Sequence, residues 1–308
     1  MTSDQVAYIV FGGVLLLAVI LDLGLLSKRS AEMSIKKATY QTLLWVALAF
    51  AFFAFLWWYE GSVIAIQYIS AYLMEWSLSI DNIFVFILIF GFFNIRKDHV
   101  ARALLIGIMM AIVFRIIFIT VGVALVEQFY WILYIFGAFL VYTGIKIFTV
   151  KKEEEYDPAS NPVYKFINRF FPVIHEDVSG KLIVKKNGKR FYTNMFMVVV
   201  LLATTDIVFA LDSIPAVFAI SQDKLVIYTS NIFAVLGLRS LFFLLKGAVN
   251  KFDYLQQGIA IVLIFIGLKM LVEHWIHIPV YISLIVIVVC LVGSIVYSIQ
   301  VAGERDKQ

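Results

Sequence analysis

The chain has 308 residues, of which 62% are hydrophobic and only 15% are charged. Its mean hydropathy is +0.94, whereas an ordinary soluble domain contains roughly 45–50% apolar and about 25% charged residues. A soluble domain this apolar could not cover its own core, so the composition indicates an integral membrane protein. It excludes a secreted enzyme, a cytosolic enzyme and a nucleic-acid binder, and short basic loops account for the formal net charge of +4.

Hydrophobic runs of spanning length divide the chain, since about 20 apolar residues cross a hydrocarbon core of about 30 Å. The fold class that they predict is an all-α polytopic membrane protein with about nine transmembrane helices. The first run carries Asp22 and has no basic segment before it, so it is not typical of a signal peptide. The nine runs are 6–26, 43–59, 63–94, 103–126, 130–150, 194–220, 225–249, 254–273 and 279–301.

Lysine and arginine residues are concentrated in alternate connections between the runs. Twenty lie in the connections and tail on one side, and one, Lys224, lies on the other side. Because cytosolic loops carry the excess of Lys and Arg, this asymmetry predicts an external N-terminus and a cytosolic C-terminus. Trp57, Trp131 and Trp275 fall at the predicted outer edges, where aromatic belts are expected.

One long connection, residues 151–193, is cytosolic by this count. Its segment LIVKKNGKRFYT places two strand-like runs around Asn187-Gly188, which predicts a β-hairpin with a two-residue turn. His175, Glu176 and Asp177 form a cluster that could bind a metal, but a solvated charged cluster is the favoured interpretation. A small interfacial hairpin is favoured over a regulatory site.

Eight charged residues lie inside the hydrophobic runs, where each costs several kcal/mol unless it is paired or hydrated. A purely structural set of ion pairs is the alternative to a functional set. Apolar packing can usually replace structural pairs, so eight charges favour function. The eight are Glu75, Asp81, Arg115, Lys146, Asp206, Asp212, Arg239 and Lys269.

These charges recur in the same order in two halves of the chain. The segment EWSLSIDNIF carries two acids six residues apart, and DIVFALDSIP repeats that spacing 131 residues later. An arginine and a Gly-x-Lys motif follow in each half. Each copy holds three crossings, so the second is inverted, which is typical of secondary transporters. The predicted divisions are 1–61 (two helices), 62–150 (repeat 1), 151–193 (cytosolic loop), 194–275 (repeat 2) and 276–308 (last helix and tail).

The side chains near the acids offer carboxylate, amide and hydroxyl oxygens. Such hard donors suit Mg²⁺, Ca²⁺ and Mn²⁺. Zn²⁺ and Cu⁺ are disfavoured, because the four histidines lie in loops or at edges and Cys290 lies on the last run. The predicted metal ligands are Glu75, Asp81, Asp206 and Asp212, with Ser79, Asn82, Thr205, Ser213 and Asn231 as supporting ligands.

Helix geometry limits how these acids can share one ion. Six residues turn a helix by about 600°, so two acids at this spacing lie on different faces. Either the backbone unwinds, as Pro215 would favour in the second copy, or each site takes one acid from each repeat. We favour Asp81 and Asp212 as the direct pair, with Glu75 and Asp206 beside them.

The basic residues of the two repeats are expected to compensate these acids. Without a bound ion, buried carboxylates would take up protons. Arg115 and Arg239 can hold them ionised or occupy the vacant site, because arginine is always charged. Lys146 and Lys269 are assigned the same role, with snorkelling from the ends of their runs as the open alternative.

The segments EWSLSIDNIFVF, DIVFALDSIPAVFAI and TSNIFAVLGLRSLFFLL resemble the signatures of the TerC family, within the wider LysE-type transporter group. The resemblance covers most of residues 60–275, and the FPV and NGKRFYT segments are most similar to the Alx-type branch. It implies Mn²⁺ export across a bacterial inner membrane, and related members supply Mn²⁺ to secreted metalloenzymes. By motif, the family's functional acids match Glu75, Asp81 and Asp212.

The function expected is therefore a secondary transporter that exports Mn²⁺, with no prosthetic group and with proton coupling left open. A Ca²⁺/H⁺ exchanger is the nearest alternative, because oxygen ligands separate Mn²⁺ from Ca²⁺ poorly. A membrane scaffold in a tellurite or envelope-stress complex is the second, with a protein partner at the cytosolic loop or in the secretion machinery. An enzyme is not expected, because no nucleophile–base pair or cofactor motif is present.

Overall fold

A computed structural model confirms the helical membrane fold that the composition predicts. It describes residues 9–14, 16, 34–149, 158–159, 161–174, 180–186, 188–246 and 254–305, without the side chains at 81, 84 and 302–305. Residues 9–14 are helical, and ten further helices and three short strands follow within the described residues. They are α1 Ile35–Tyr59, α2 Ser62–Phe92, α3 Lys97–Gln128, α4 Ile132–Thr149, α5 Pro162–Phe170, β1 Val173–Ile174, β2 Ile183–Lys186, β3 Lys189–Thr193, α6 Asn194–Ile220, α7 Lys224–Leu236, α8 Leu238–Leu245, α9 Leu255–Val272 and α10 Val280–Arg305.

Seven of these helices are long and apolar enough to cross a membrane, namely α1, α2, α3, α4, α6, α9 and α10. The consecutive helices α7 and α8 pass the same test as one bent span, which gives up to eight crossings within the described residues. The first of the nine predicted crossings, 6–26, lies mostly outside those residues, as does Asp22. The later crossings agree closely with the predicted runs.

The helix break lies in the seventh run and not at the acids. A bend of 41° separates α7 from α8 at Gly237. By contrast, α2 and α6 remain helical through all four acidic positions, and α6 also continues through Pro215. Of the two alternatives that the spacing left open, unwinding at the acids is therefore not found in these helices, and a site with one acid from each repeat stays a prediction. On a continuous helix, two acids six residues apart point in different directions, because six residues turn the helix by about 600°.

Side-chain caps define where the helices of the second half begin. The Thr193 hydroxyl accepts from the Phe196 N–H at 3.4 Å at the start of α6. The Asp223 carboxylate accepts from the Val226 N–H at 3.1 Å at the start of α7. Such caps satisfy backbone donors that have no partner within the helix.

The central layer consists of α2 and α6, the most buried of the spans. Helix α7 packs on α2, α3 packs on α6, and α4 packs along α9. If α2 is exchanged with α6, α3 with α7–α8, and α4 with α9, the contact of α7 with α2 becomes the contact of α3 with α6. The contact of α4 with α9 becomes itself. Two repeats related by a two-fold axis would pack in this way, so the arrangement supports the predicted repeat.

Helices α4 and α9 approach so closely that their backbones touch. A Cβ atom added at Gly267 would lie 2.6 Å from the carbonyl oxygen of Gly137, and one added at Gly144 would lie 2.8 Å from the Ala260 carbonyl oxygen. Small residues permit such backbone contact between membrane helices. The Gly-x-Lys motifs therefore contribute to packing as well as charge.

The long connection between α4 and α6 contains the predicted hairpin. Strand β2 pairs antiparallel with β3, and Lys186 is opposite Lys189 across a two-residue turn. Gly188 in that turn has φ +77°, a conformation that glycine adopts without strain. Strand β1 adds to β3 in parallel. The predicted cluster of His175, Glu176 and Asp177 lies outside the described residues.

We expect Gly267→Ala to lower the melting temperature of the purified protein. The new methyl group would overlap the Gly137 carbonyl, and overpacking of this kind costs about 1–3 kcal/mol. Gly91→Ala is the matched control, because its Cβ would meet nothing within 4 Å. Equal thermal stability of the two variants would contradict the close α4–α9 packing.

Candidate cation site

Arg115 lies near the middle of α3 and is buried, with 1% of its surface exposed. Its Nε donates to Oδ2 of Asp206 at 3.0 Å, and its Nη2 donates to Oδ1 at 3.1 Å. This two-pronged contact matches the planar guanidinium to a carboxylate. It joins an arginine of the first repeat to an acid of the second.

Glu75 contacts the same guanidinium from α2. Its Oε1 accepts from Nη1 of Arg115, while its Oε2 is buried and has no hydrogen-bond partner within the described residues. The hydroxyl of Ser79, one helical turn further along α2, is also buried without a described partner. Two oxygen atoms on one face of α2 thus have no described partner, and one of them belongs to the carboxylate that contacts Arg115.

Asn231 completes the contacts of Arg115 from α7. Its Nδ2 donates to the Ile227 carbonyl at 3.2 Å, which orients the amide. Its Oδ1 then accepts from Nη1 of Arg115 at 3.0 Å. The predicted supporting ligand at this position therefore contacts the arginine and lies within reach of Glu75.

The charge of this cluster does not sum to zero. Glu75 and Asp206 carry two negative charges and Arg115 carries one positive charge, so the formal charge is −1. All three side chains are at most 1% exposed. Unbalanced charge in a low-dielectric interior is costly, so with both carboxylates ionised the cluster favours an additional positive charge, which either a proton or a metal cation supplies.

Asp212 lies apart from this cluster, on a half-exposed face of α6. Its Oδ1 accepts from the Thr143 hydroxyl of α4 at 3.1 Å. Lys146 is three residues after Thr143, on the same face of α4, but it is exposed. The second repeat's two acids thus point to α3 and α4 respectively, as their spacing requires.

The predicted direct pair of Asp81 and Asp212 is not tested, because the Asp81 side chain lies outside the described residues. Within the part of the chain that is described, no three His, Cys, Asp or Glu side chains form a metal-binding group. Arg239 is buried on α8, two residues after the bend at Gly237. Asn82 is buried on α2.

The remaining predicted site residues are two residues with hydroxyl groups and one lysine. The hydroxyls of Thr205 and Ser213 on α6 are buried and have no partner within the described residues. Lys269 is buried on α9, where its Nζ donates to the Ser283 hydroxyl of α10 at 3.1 Å. This hydrogen bond joins Lys269 to a hydroxyl rather than to one of the predicted acids, and Lys269 is buried whereas Lys146 is exposed.

Thr143 and Ser283 were not among the predicted site residues. Thr143 comes immediately before the Gly-x-Lys motif of the first repeat, and its hydroxyl is a typical hydrogen-bond donor. Its place next to that motif is the feature of the sequence by which it could have been found. Ser283 lies on α10, outside both predicted repeats, so only the tertiary contact with Lys269 identifies it.

Comparison with known proteins identifies the class to which these features belong. Residues 60–307 match the description "Integral membrane protein TerC family". An "Uncharacterized membrane protein" of Rickettsia felis is 41% identical over 293 residues, or 95% of this chain and 97% of the relative. No solved structure gives a significant match.

A second relative has a more specific name. The "Putative membrane-bound redox modulator Alx" of Escherichia coli K12 is 38% identical over 307 residues, which cover 97% of this chain and 95% of the relative. The buried charges and the spanning helices define a polytopic integral membrane protein. The chain belongs to the TerC family.

Arg115→Gln is expected to destabilise the fold. Removing one partner of a buried ion pair leaves uncompensated charge and typically costs about 3–5 kcal/mol. Adding Asp206→Asn to that variant should restore part of the melting temperature, because one of the two stranded charges is removed. Arg102→Gln is the control, since Arg102 is exposed on the same helix; a comparable loss there would contradict this assignment.

Proposed function

We propose that this protein is a secondary carrier that moves Mn²⁺ out of the cytosol across the bacterial inner membrane, with a divalent cation as its substrate. The observation that carries the proposal is the buried Glu75 Oε2, which no described donor satisfies, within a cluster of formal charge −1. Buried acceptors without partners in a native structure need an explanation. An oxygen-binding cation supplies one.

Arg115 acts in this proposal as the counter-charge of the ion-free carrier. It holds Asp206 through two hydrogen bonds and Glu75 through one. A divalent cation at Glu75 Oε2 would add two positive charges, repel Arg115 and weaken its hold on the second repeat. Ion binding and the relative position of the repeats would then be coupled, as alternating access requires.

The nearby donors favour a hard divalent cation. Ser79, Thr205 and Ser213 offer buried hydroxyl oxygens without described partners. Carboxylate and hydroxyl oxygens suit Mn²⁺, Ca²⁺ and Mg²⁺ and do not select sharply among them. Manganese is proposed from the family resemblance, and Ca²⁺ exchange for protons is the alternative that transport measurements must separate.

A cavity of about 650 Å³ lies near the C-terminal end of α6. Its lining includes Phe218 and Ser221 near the end of α6, together with Lys269 of α9. Phe218 lies six residues after Asp212, or about 9 Å along the helix. The cavity lies on the side of the connection that carries Lys224, which the charge asymmetry predicts to be external.

The relative from Escherichia coli K12 is named a redox modulator. That name does not imply that this chain uses a pair of thiols. The chain contains one cysteine, and Cys290 has a free thiol on α10. A dithiol–disulfide couple within one chain needs two. We therefore propose a carrier rather than an enzyme, without a prosthetic group.

Proteoliposomes loaded and assayed with Mn²⁺, Ca²⁺ or Mg²⁺, with internal pH recorded, test this proposal. We expect Mn²⁺ flux in the wild type and a loss of at least about tenfold in Glu75→Gln and in Asp206→Asn, because each substitution removes the charge of a carboxylate in the proposed cation site, and a tenfold loss corresponds to about 1.4 kcal/mol. A pH change that accompanies flux would establish proton coupling.

Glu127→Gln is the matched control for these variants. Glu127 is an exposed acid near the end of α3 and pairs with Lys224 at 2.8 Å. Its flux should equal that of the wild type. Absence of flux for all three ions with correctly folded protein would overturn the carrier proposal, and larger flux for Ca²⁺ would favour the exchanger.

A further inference from the structure

Helix α5 of the cytosolic connection is fixed against the end of a membrane span. The Tyr164 ring packs on Phe92 and Phe93 at the end of α2, with ring centroids 5.9 and 5.8 Å apart. Ile167, on the adjoining face, is buried. Since α2 is a candidate membrane-spanning helix that ends there, we expect α5 to lie near the layer of lipid headgroups.

The opposite face of α5 exposes aromatic side chains. Phe166 is 56% exposed and Phe170 is 63% exposed, and their ring centroids are 4.8 Å apart. The Arg169 guanidinium lies 5.7 Å from the Phe170 ring, and Lys165 is exposed nearby. A short helix with aromatic and basic side chains in this arrangement is typical of helices that lie in a membrane interface.

The neighbouring hairpin places positively charged side chains directly opposite each other on its two strands. Lys185 is opposite Arg190, and Lys186 is opposite Lys189. Like charges directly across a strand pair destabilise it. Within the described residues, no carboxylate forms a salt bridge with any of these four side chains, and all four are exposed. An external anion would relieve the repulsion.

The hairpin is held close to the membrane by its connection to α6. Strand β3 ends at Thr193, and α6 begins at the next residue. The Tyr192 ring packs on Phe196 in the first turn of α6 at 4.5 Å. Five strand residues span only about 17 Å, so the charged end of the hairpin stays near the headgroup layer.

We propose that α5 and the β2–β3 hairpin form a docking surface for the anionic lipid headgroups of the leaflet that the loop faces. Phe166 and Phe170 enter the boundary between headgroups and acyl chains, and the four hairpin cations contact lipid phosphates. Charge complementarity favours anionic over zwitterionic lipid, because basic groups near the surface are attracted by anionic headgroups. This proposal does not depend on the transported ion.

A fluorescent label at position 170 tests the proposal in the full-length protein. Phe170→Cys is combined with Cys290→Ser, labelled with an environment-sensitive dye, and reconstituted into phosphatidylglycerol or phosphatidylcholine vesicles. Both leaflets of each vesicle have the same composition, and iodide is present inside and outside the vesicles, so the direction of insertion does not matter. We expect several-fold stronger quenching by a lipid-borne quencher than by aqueous iodide, and deeper insertion in phosphatidylglycerol.

Two double variants that each remove two positive charges distinguish an effect of the hairpin from a general effect of the protein's net charge. Lys186→Gln with Lys189→Gln should reduce the difference between the two lipids, because it removes two of the four hairpin cations, whereas Lys36→Gln with Lys37→Gln, at the start of α1, should preserve it. A label accessible to iodide in both lipids would overturn the proposal. So would insertion that is equal in both lipids, or a response only to an added soluble polyanion, which would point to a different partner.

Discussion

The buried guanidinium of Arg115 is the interaction on which the rest of this structure depends. It brings Glu75 of α2, Asp206 of α6 and Asn231 of α7 to one point in the interior of the bundle. A charged group in a membrane is tolerated only when it is paired, and this arginine uses its fork to pair with two helices at once. The central layer is therefore held together by charge as well as by apolar contact.

That arrangement constrains how the molecule can move. The α4–α9 contact has little free space around Gly137 and Gly267, so these two helices are expected to move together. The Arg115 contacts, in contrast, depend on charge, and in the proposed mechanism a bound cation would replace them. The bend between α7 and α8 at Gly237 lies beside this region and divides Asn231 from Arg239. A carrier needs both properties, a rigid pair of helices and a contact that substrate can replace.

Much of the fold and part of the site could be predicted from the sequence. Spanning helices depend on apolar length, and the hairpin depends on a two-residue turn, so local patterns were sufficient for both. The association of Arg115 with Asp206 could not be read from spacing, because it joins residues 91 positions apart. Unwinding at the acids, one of the two alternatives that the spacing left open, does not occur, since α6 stays helical through Pro215 and the break lies at Gly237. Lys146 and Lys269 occupy matching motifs, yet only tertiary packing decides that Lys269 is buried and Lys146 is exposed.

The measurement that tests the central claim most directly is a titration of the purified protein with Mn²⁺, followed by electron paramagnetic resonance of the free ion. The account predicts that wild-type protein removes Mn²⁺ from the free signal in a saturable manner. Glu75→Gln should greatly weaken that binding, because it removes the charge of the carboxylate whose Oε2 has no described partner, while Glu127→Gln should bind as the wild type does. Undiminished free signal with folded wild-type protein, or unchanged binding in Glu75→Gln, would contradict it.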